Sequence, residues 1–379
     1  MTNAWRGFRG DHWRDDVNVR DFVQQNYTPY DGDESFLAEP TDATRKLWGR
    51  LAELQKEERA KGGVLDCETE IVSSITAYPA AYLDPEHKEY EKVVGMQTDK
   101  PLKRAFMPYG GIRMAQEAAS TYGFHVNDKY TKIFNEYHKT HNQGVFDAYT
   151  DEMRVARRNH IITGLPDTYG RGRIVGDYRR VALYGIDALA AEKKEGPRHC
   201  GCGIMTDDVI RQREELSDQI RALGQMKVMA ESYGFDISGP AKNAREAVQW
   251  LYFGYLAAIR TQNGAAMSVG RISTFLDIYI QRDLAEGTLT ETEAQELIDH
   301  LVMKFRMVSL PVFRPTTSSS RATRSGPRWR WPDSAWTAVD GNEERLPLPP
   351  YARKIWGRLR NPISRCFIRR TCRRPSANI

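Results

Sequence analysis

The residues best suited to chemistry lie between Leu165 and Gly185, where Arg171, Arg173, Arg179 and Arg180 are set among Gly170, Gly172 and Gly176. A guanidinium is a rigid fork of donors matched to a carboxylate or a phosphate. Flanking glycines let the backbone approach a ligand closely or adopt a positive φ. The pattern points to an anion pocket. Arg179 and Arg180 open an apolar helical run, a place where arginines ordinarily form a solvated face or a structural ion pair. Arg171 and Arg173, held between glycines, are the stronger candidates for ligand contact, although the motif alone does not name the anion.

Other residue types with chemical potential carry less. Phe146 and Arg157 could clamp a purine between an aromatic face and a guanidinium plane, and ordinary packing also accounts for Phe146. His138 and His141 are three apart, which on a helix would put them on one face. No carboxylate or third histidine follows at ligand spacing, so hydrogen-bonded structural histidines are expected. Cys67, Cys200, Cys202, Cys366 and Cys372 form neither an even disulfide framework nor paired metal-ligand spacing. No metal site is expected.

These residues need elements to position them. Trp5, Phe8 and Trp13, followed by Val17, Val19 and Phe22, imply a helix anchored by core aromatics. Thr41 to Glu58 repeats Ala43, Leu47, Leu51 and Leu54 at helical spacing, with Gly62 and Gly63 beyond its end. The first hundred residues read as helical scaffold, and Thr131 to Tyr137 has helix character. Thr206 caps a run whose first turn holds Asp207 and Asp208, whose stripe is Val209, Leu216, Ile220 and Leu223, and which ends near Gly234. Asn243 and Glu246 precede a segment apolar on nearly every face, which must be buried, and Gln262 to Ser268 ends it in a small-residue turn. Thr290 with Glu293 is a capping box ahead of Ala294, Leu297, Ile298, Leu301, Val302 and Phe305.

The chain has 379 residues, more than one core usually serves, so one large α/β unit or two domains is the expectation. With 40% hydrophobic and 28% charged residues it can bury a sizeable core. It has no run of 18 or more apolar residues, and Met1 to Asp11 lacks an apolar signal core, which predicts a cytoplasmic protein without membrane association.

Leu165 to Gly185 resembles the corresponding segment of the pyruvate formate-lyase (formate acetyltransferase) family of glycyl radical enzymes. So do Val19-Arg20-Asp21-Phe22 with Asn26-Tyr27-Thr28-Pro29-Tyr30, Pro101 to Ala105, Lys139 to Asp147, and Gln262-Asn263-Gly264-Ala265-Ala266-Met267-Ser268. The likeness runs in the family's order from about residue 4 to about residue 310. It implies a partial α/β barrel: an N-terminal helical layer plus part of the first parallel half-barrel. It implies pyruvate and coenzyme A as substrates, a possible homodimer, and a radical-generating activating enzyme as the full-length family's partner. Residue by residue, Arg173 matches the carboxylate arginine and Ala265 its pocket neighbour, and coenzyme A gives Phe146 and Arg157 a ligand to hold. In the family a stored glycyl radical passes to an adjacent cysteine pair, a thiyl adds to pyruvate, formate leaves and acetyl moves to coenzyme A. Neither the cysteine pair nor an Arg-Val-x-Gly-Tyr radical loop occurs in these 379 residues. The resemblance therefore implies no bound cofactor and half a substrate site.

From Phe313 the grammar changes, so the expected division is residues 1–312 and a tail of residues 313–379. The tail carries +11, from 15 basic and 4 acidic residues, leaving −6 for residues 1–312 against a chain total of +5. Its prolines, serines and arginines show neither helical nor strand period, and disorder is expected. Pro315-Thr316-Thr317-Ser318-Ser319-Ser320-Arg321 is what GC-rich codons for the family's next segment produce when read one base later, so a frameshift is the expected origin. Three function classes follow: a catalytically incomplete formate acetyltransferase, a non-catalytic pyruvate-binding or dimer-forming remnant, and, least favoured, a nucleic-acid binder resting on the tail alone.

Overall fold

Ala244–Thr261 is apolar around its whole circumference, and a helix of that kind must be enclosed by other elements. In the computed structural model, which describes residues 3–28, 38–108, 112–137, 148–161, 176–199, 205–261, 269–270 and 272–308, it is the central helix, α9. Fourteen of its eighteen residues are buried. Around it in chain order are α1 (His12–Asp15), α2 (Val19–Asn26), α3 (Asp42–Ala60), β1 (Asp66–Val72) and β2 (Lys103–Phe106). Then come α4 (Ile112–Thr121), α5 (Asp128–Glu136), α6 (Asp151–Arg158), α7 (Arg179–His199), α8 (Asp207–Ser232), α10 (Ile272–Ala285) and α11 (Glu291–Met307).

The start of α9 is fixed by side chains that take its orphan donors. Asn243 Oδ1 accepts from Glu246 N–H (2.9 Å), Glu246 reaches back to Lys242 N–H (2.8 Å), and Asp283 of α10 accepts from Ala244 N–H (2.5 Å). α7 packs closely because Gly254 leaves room: an added Cβ there would lie 3.3 Å from Val181. α7 itself breaks at Gly185 (φ 76°, ψ 168°), where Ile186 and Asp187 donate to the carbonyls of Ile237 and Ser238 (3.0 and 3.1 Å). A Cβ on Gly185 would meet the carbonyl carbon of Gly239 at 2.3 Å, so this glycine serves backbone-to-backbone packing.

The expected N-terminal anchor is present. Phe8, Trp13 and Phe22 are buried against Phe275 and Tyr279 of α10, with edge or tilted ring contacts of 4.9–5.6 Å between successive members. Tyr184 locks the turn between α1 and α2, donating to Trp13 O (2.6 Å) and accepting from Asn18 N–H (3.0 Å). The capping box at Thr290 and Glu293 forms as read, and Thr41 and Thr206 cap α3 and α8.

The reading of the first hundred residues as helical scaffold is corrected. β1 pairs in parallel with β2, and residues 73–102, largely buried apart from an exposed stretch at 85–89, contain no helix beyond a single 3-10 turn at Lys88–Tyr90. A buried irregular segment must find partners for its backbone groups. Here many come from side chains 137 to 208 residues away. The Gln249 amide accepts from Val94 N–H and donates to Val94 O (2.8 and 2.9 Å), imitating a strand. Tyr233 OH accepts from Ala81 and Met96 N–H, while the Arg260 guanidinium donates to Ile75 O (2.7 Å) and Met96 O (2.6 Å). Partners so distant in sequence leave no local signature, which is why helix periodicity did not exclude helix here.

α3 and α11 close a second cluster of Leu47, Leu51, Leu54, Met303 and Met307. The α/β class holds in coarse form: the described residues are a helical body with a two-stranded parallel sheet. Among them no helix is long and apolar enough to cross a membrane. Residues 309–379, on which the tail and frameshift readings rest, lie outside the described residues.

Candidate functional site

Of the four residues expected to contact substrates, Arg173, Ala265 and Phe146 lie outside the described residues, as do Arg171, His138, His141 and the cysteines other than Cys67. The structure does describe the stems that carry two of them. Arg173 precedes the stem at Gly176 that enters α7, and Ala265 follows the end of α9 at Thr261. These stems pack on each other: Tyr178 and Tyr255 are both buried and meet edge to face at 5.5 Å. Burial raises both phenols above their ordinary value, so each remains a neutral donor. A small cavity of ≈ 190 Å³ lies against this stem, with Gly176, Tyr178, Val181, Leu189, Leu223 and Met226 in its wall.

The two arginines at the helix start take the bland role foreseen for them. Arg179 holds Asp177 in a two-point contact (2.6 and 3.0 Å), and Arg180 is exposed. Gly176 also serves local packing, since a Cβ there would sit 2.7 Å from the Tyr178 ring.

Arg157 is half-buried in the last turn of α6. Thr150 caps that helix by accepting from Met153 N–H (3.3 Å), Asp151 and Glu152 occupy its positive end, and Arg157 and Arg158 its negative end. The guanidinium carbon lies 6.0 Å from the centroid of the Tyr149 ring. Tyr149 is an aromatic neighbour that sequence reasoning did not single out. Its position beside the cap of a charged eight-residue helix was the available signal.

A thiol that attacks as a polar nucleophile must ionise readily. Cys67, the cysteine among the described residues, is buried beside Asp66 and Glu68, and burial followed by those two charges pushes its thiol up to about 12. It is an inert structural thiol, and no group of three or more metal-ligating side chains occurs among the described residues.

Sequence reasoning also missed the buried charges of α11. Lys304 pairs with Glu91 and Arg104 of β2 with Glu58 of α3, all four side chains being nearly inaccessible. His300 is held neutral, pushed down to about 3 by burial and the nearby Lys304 and Lys92. Its Nδ1 accepts from Lys92 N–H (3.0 Å), which leaves Nε2 to donate to Thr44 Oγ1 (3.1 Å). Burial raises the Asp299 carboxyl to about 7, against one hydrogen bond from Gln295 (3.0 Å) and in company with Glu296. His300 and Lys304 join α11 to α3 and to the coil, and Asp299 bonds within α11; none of them lines an open site.

Residues 12–327 match the family of pyruvate formate lyase-like proteins. Over 342 residues the chain is 53% identical to formate acetyltransferase of Haemophilus influenzae, covering 89% of this chain and 44% of that relative, so it spans less than half the relative's length. Two solved structures share the fold at 18% identity and a TM-score of 0.52. One concerns 1,2-propanediol dehydration in Roseburia inulinivorans, over 74% of this chain and 41% of that one. The other is the glycerol-bound B12-independent glycerol dehydratase from Clostridium butyricum, over 72% and 40%. The family match and the formate acetyltransferase identity both run across the Arg173 and Ala265 stems, and on that ground the chain belongs to the pyruvate formate lyase-like family.

Proposed function

We propose that this chain is the pyruvate-binding N-terminal portion of a formate C-acetyltransferase, the enzyme that converts pyruvate and coenzyme A to acetyl-coenzyme A and formate in anaerobic glucose fermentation. The observation that carries this reading is the 53% identity to formate acetyltransferase from Haemophilus influenzae. Arg173 takes the pyruvate carboxylate in a charge-assisted, forked contact, and Ala265 leaves room for the substrate methyl. Phe146 and Arg157 hold the adenine of coenzyme A, with Tyr149 supporting the guanidinium from behind. A homodimer and a radical-generating activating enzyme belong to the full-length enzyme in this reading, and the setting is cytoplasmic.

These 379 residues, which span 44% of the formate acetyltransferase relative, contain no Arg-Val-x-Gly-Tyr radical loop. The acetyl acceptor that the resemblance implies is a cysteine of an adjacent pair, and no such pair occurs in these 379 residues; the described cysteine, Cys67, is a buried free thiol. The residues present bind and orient pyruvate without turning it over. The body of the chain is acidic, which disfavours nucleic acid as a partner. The tail from about residue 313 is read as an out-of-frame translation; the nucleotide sequence tests this, since restoring one base near codon 312 opens a frame through a Cys-Cys pair, whereas an early stop overturns it.

Ligand-observed NMR with pyruvate and oxamate tests the site. Weak binding is expected, and Arg173→Ala weakens it by at least about 1.5 kcal/mol, roughly tenfold. Equal signals from both proteins overturn the assignment.

A further inference from the structure

A groove of ≈ 690 Å³ lies where the C-terminal end of α3 meets the start of β1, the coil at Tyr82–Pro85 and Lys100–Pro101, and the turn after α4. That is the size of a small-molecule site. Its floor is apolar, with Leu54, Val64 and Leu83 buried. Tyr82, Tyr122 and Phe124 supply aromatic surface, and three cations, Arg50, Lys61 and Lys100, face one acid, Asp66, among the described lining residues.

The positive charge is not consumed locally. Arg50 makes a 3.6 Å contact to Glu53 with both side chains half or more exposed, a type of pair that holds a guanidinium weakly. Lys61 reaches a backbone carbonyl, Leu65 O, at 3.4 Å. Asp99, the acid next to Lys100, is engaged by Lys103 at 2.9 Å, and Lys103 also takes Glu68 at 2.7 Å. Asp66 accepts from Cys67 N–H through Oδ1 (2.8 Å), and a carboxylate so placed suits ribose hydroxyls. An inorganic anion would leave the apolar floor and the rings unused. A fatty anion would leave Asp66 and two of the cations without a partner.

We propose that this groove binds a nucleoside diphosphate, its base on the aromatic wall of Tyr82, Tyr122 and Phe124 and its phosphates at Arg50, Lys61 and Lys100. Nothing in the pyruvate reading uses these residues, so the two stand or fall separately. The same chemical group occurs free and as part of coenzyme A, and the experiment separates these sources.

Isothermal titration of the full chain with ADP, coenzyme A, adenosine and pyrophosphate tests the proposal. ADP is expected to bind at least about tenfold more tightly than adenosine or pyrophosphate, because base and phosphates both contribute. Lys61→Glu with Lys100→Glu weakens ADP about tenfold or more, and Tyr122→Ala about fivefold, the scale of one lost stacking contact. Coenzyme A competing with ADP in the wild type, and losing affinity in the lysine variant, identifies the coenzyme as the source and moves its adenine from Phe146 and Arg157 to this groove; ADP binding without that competition identifies a free nucleotide. Absence of ADP binding at millimolar concentration, pyrophosphate binding as tightly as ADP, or ADP binding unchanged in the lysine variant each overturns the proposal. Circular dichroism of the variants, in which Lys61 and Lys100 are exposed and Tyr122 is half-buried, controls for folding.

Discussion

The body built on α7 to α11 and the arm formed by α4 to α6 are held in different ways. In the body, α9 is enclosed by four helices, the N-terminal aromatics and a coil whose backbone is satisfied by Gln249, Tyr233, Tyr252 and Arg260. In the arm, a five-residue cluster of Phe106, Ile112, Ala119, Val126 and Phe134 packs α4 and α5 on β2 without a residue of α6, and Asn127 ties it to β1 by donating to Thr69 O (3.1 Å) and to Glu70 (2.6 Å). α6 has no buried residue, and Tyr137 and Ile161 are 79% and 75% exposed. Burial is the dominant stabilising term. The body is therefore self-sufficient, whereas the arm, which carries Arg157, depends on further surface to be fixed.

Two glycines with nearly the same backbone angle expose this difference. Gly185 (φ +76°) faces the Gly239 backbone at a hypothetical Cβ distance of 2.3 Å, while Gly123 (φ +82°) in the arm has nothing within 4 Å. Gly123→Ala costs about 1–2 kcal/mol, the strain of a left-handed residue. Gly185→Ala costs that plus the separation of two packed segments and is expected to abolish cooperative unfolding. Urea denaturation of both variants measures it, and equal midpoints would refute the distinction.

Arginines give the next largest contrast. Arg260→Met leaves Ile75 O and Met96 O buried without their donor, an expected loss of about 3 kcal/mol. Arg157→Met in the arm changes stability by less than about 0.5 kcal/mol, as surface substitutions do, and lowers coenzyme A affinity. Thermal melts with and without coenzyme A separate the two effects.

A smaller, pH-dependent effect sharpens the account of the body. Asp299 is raised from 3.8 to about 7, so its protonated form is favoured on folding; that contribution is full below pH 4 and is lost as pH rises through 7. Asp299→Asn keeps an acceptor for Gln295 and removes the penalty, gaining on the order of 2–4 kcal/mol at pH 8 and little at pH 4. His300 acts in the opposite direction. Lowered from 6.5 to about 3, it stabilises above pH 6.5 and loses that contribution as pH falls toward 3. Denaturation midpoints from pH 4 to 8 check both, and an Asp299→Asn gain that does not grow with pH would contradict the assignment.

Much of the body was legible because its signals are local. Thr290 with Glu293, Thr206 before Asp207 and the all-round apolar face of α9 are each read within a few residues. The interior coil was not legible, since Gln249 and Arg260 look like ordinary helix residues until Val94 and Met96 are beside them. The buried charges of α11 were hidden for the same reason: His300 and Lys304 look like members of a solvated face, and their partners lie on α3 and the coil. For the candidate site, glycine and arginine spacing points to an anion pocket around Arg173, a reading that lies outside the described residues, whereas the pairing of Arg157 with Tyr149 depends on geometry that α6 supplies.

Hydrogen exchange followed by mass spectrometry tests the contrast between body and arm most directly. Peptides from α9 and α11 are expected to exchange only through global unfolding, and those covering residues 148–161 to exchange orders of magnitude faster. Equal protection in the two regions would contradict the account, because it would mean that the arm is fixed by this chain alone.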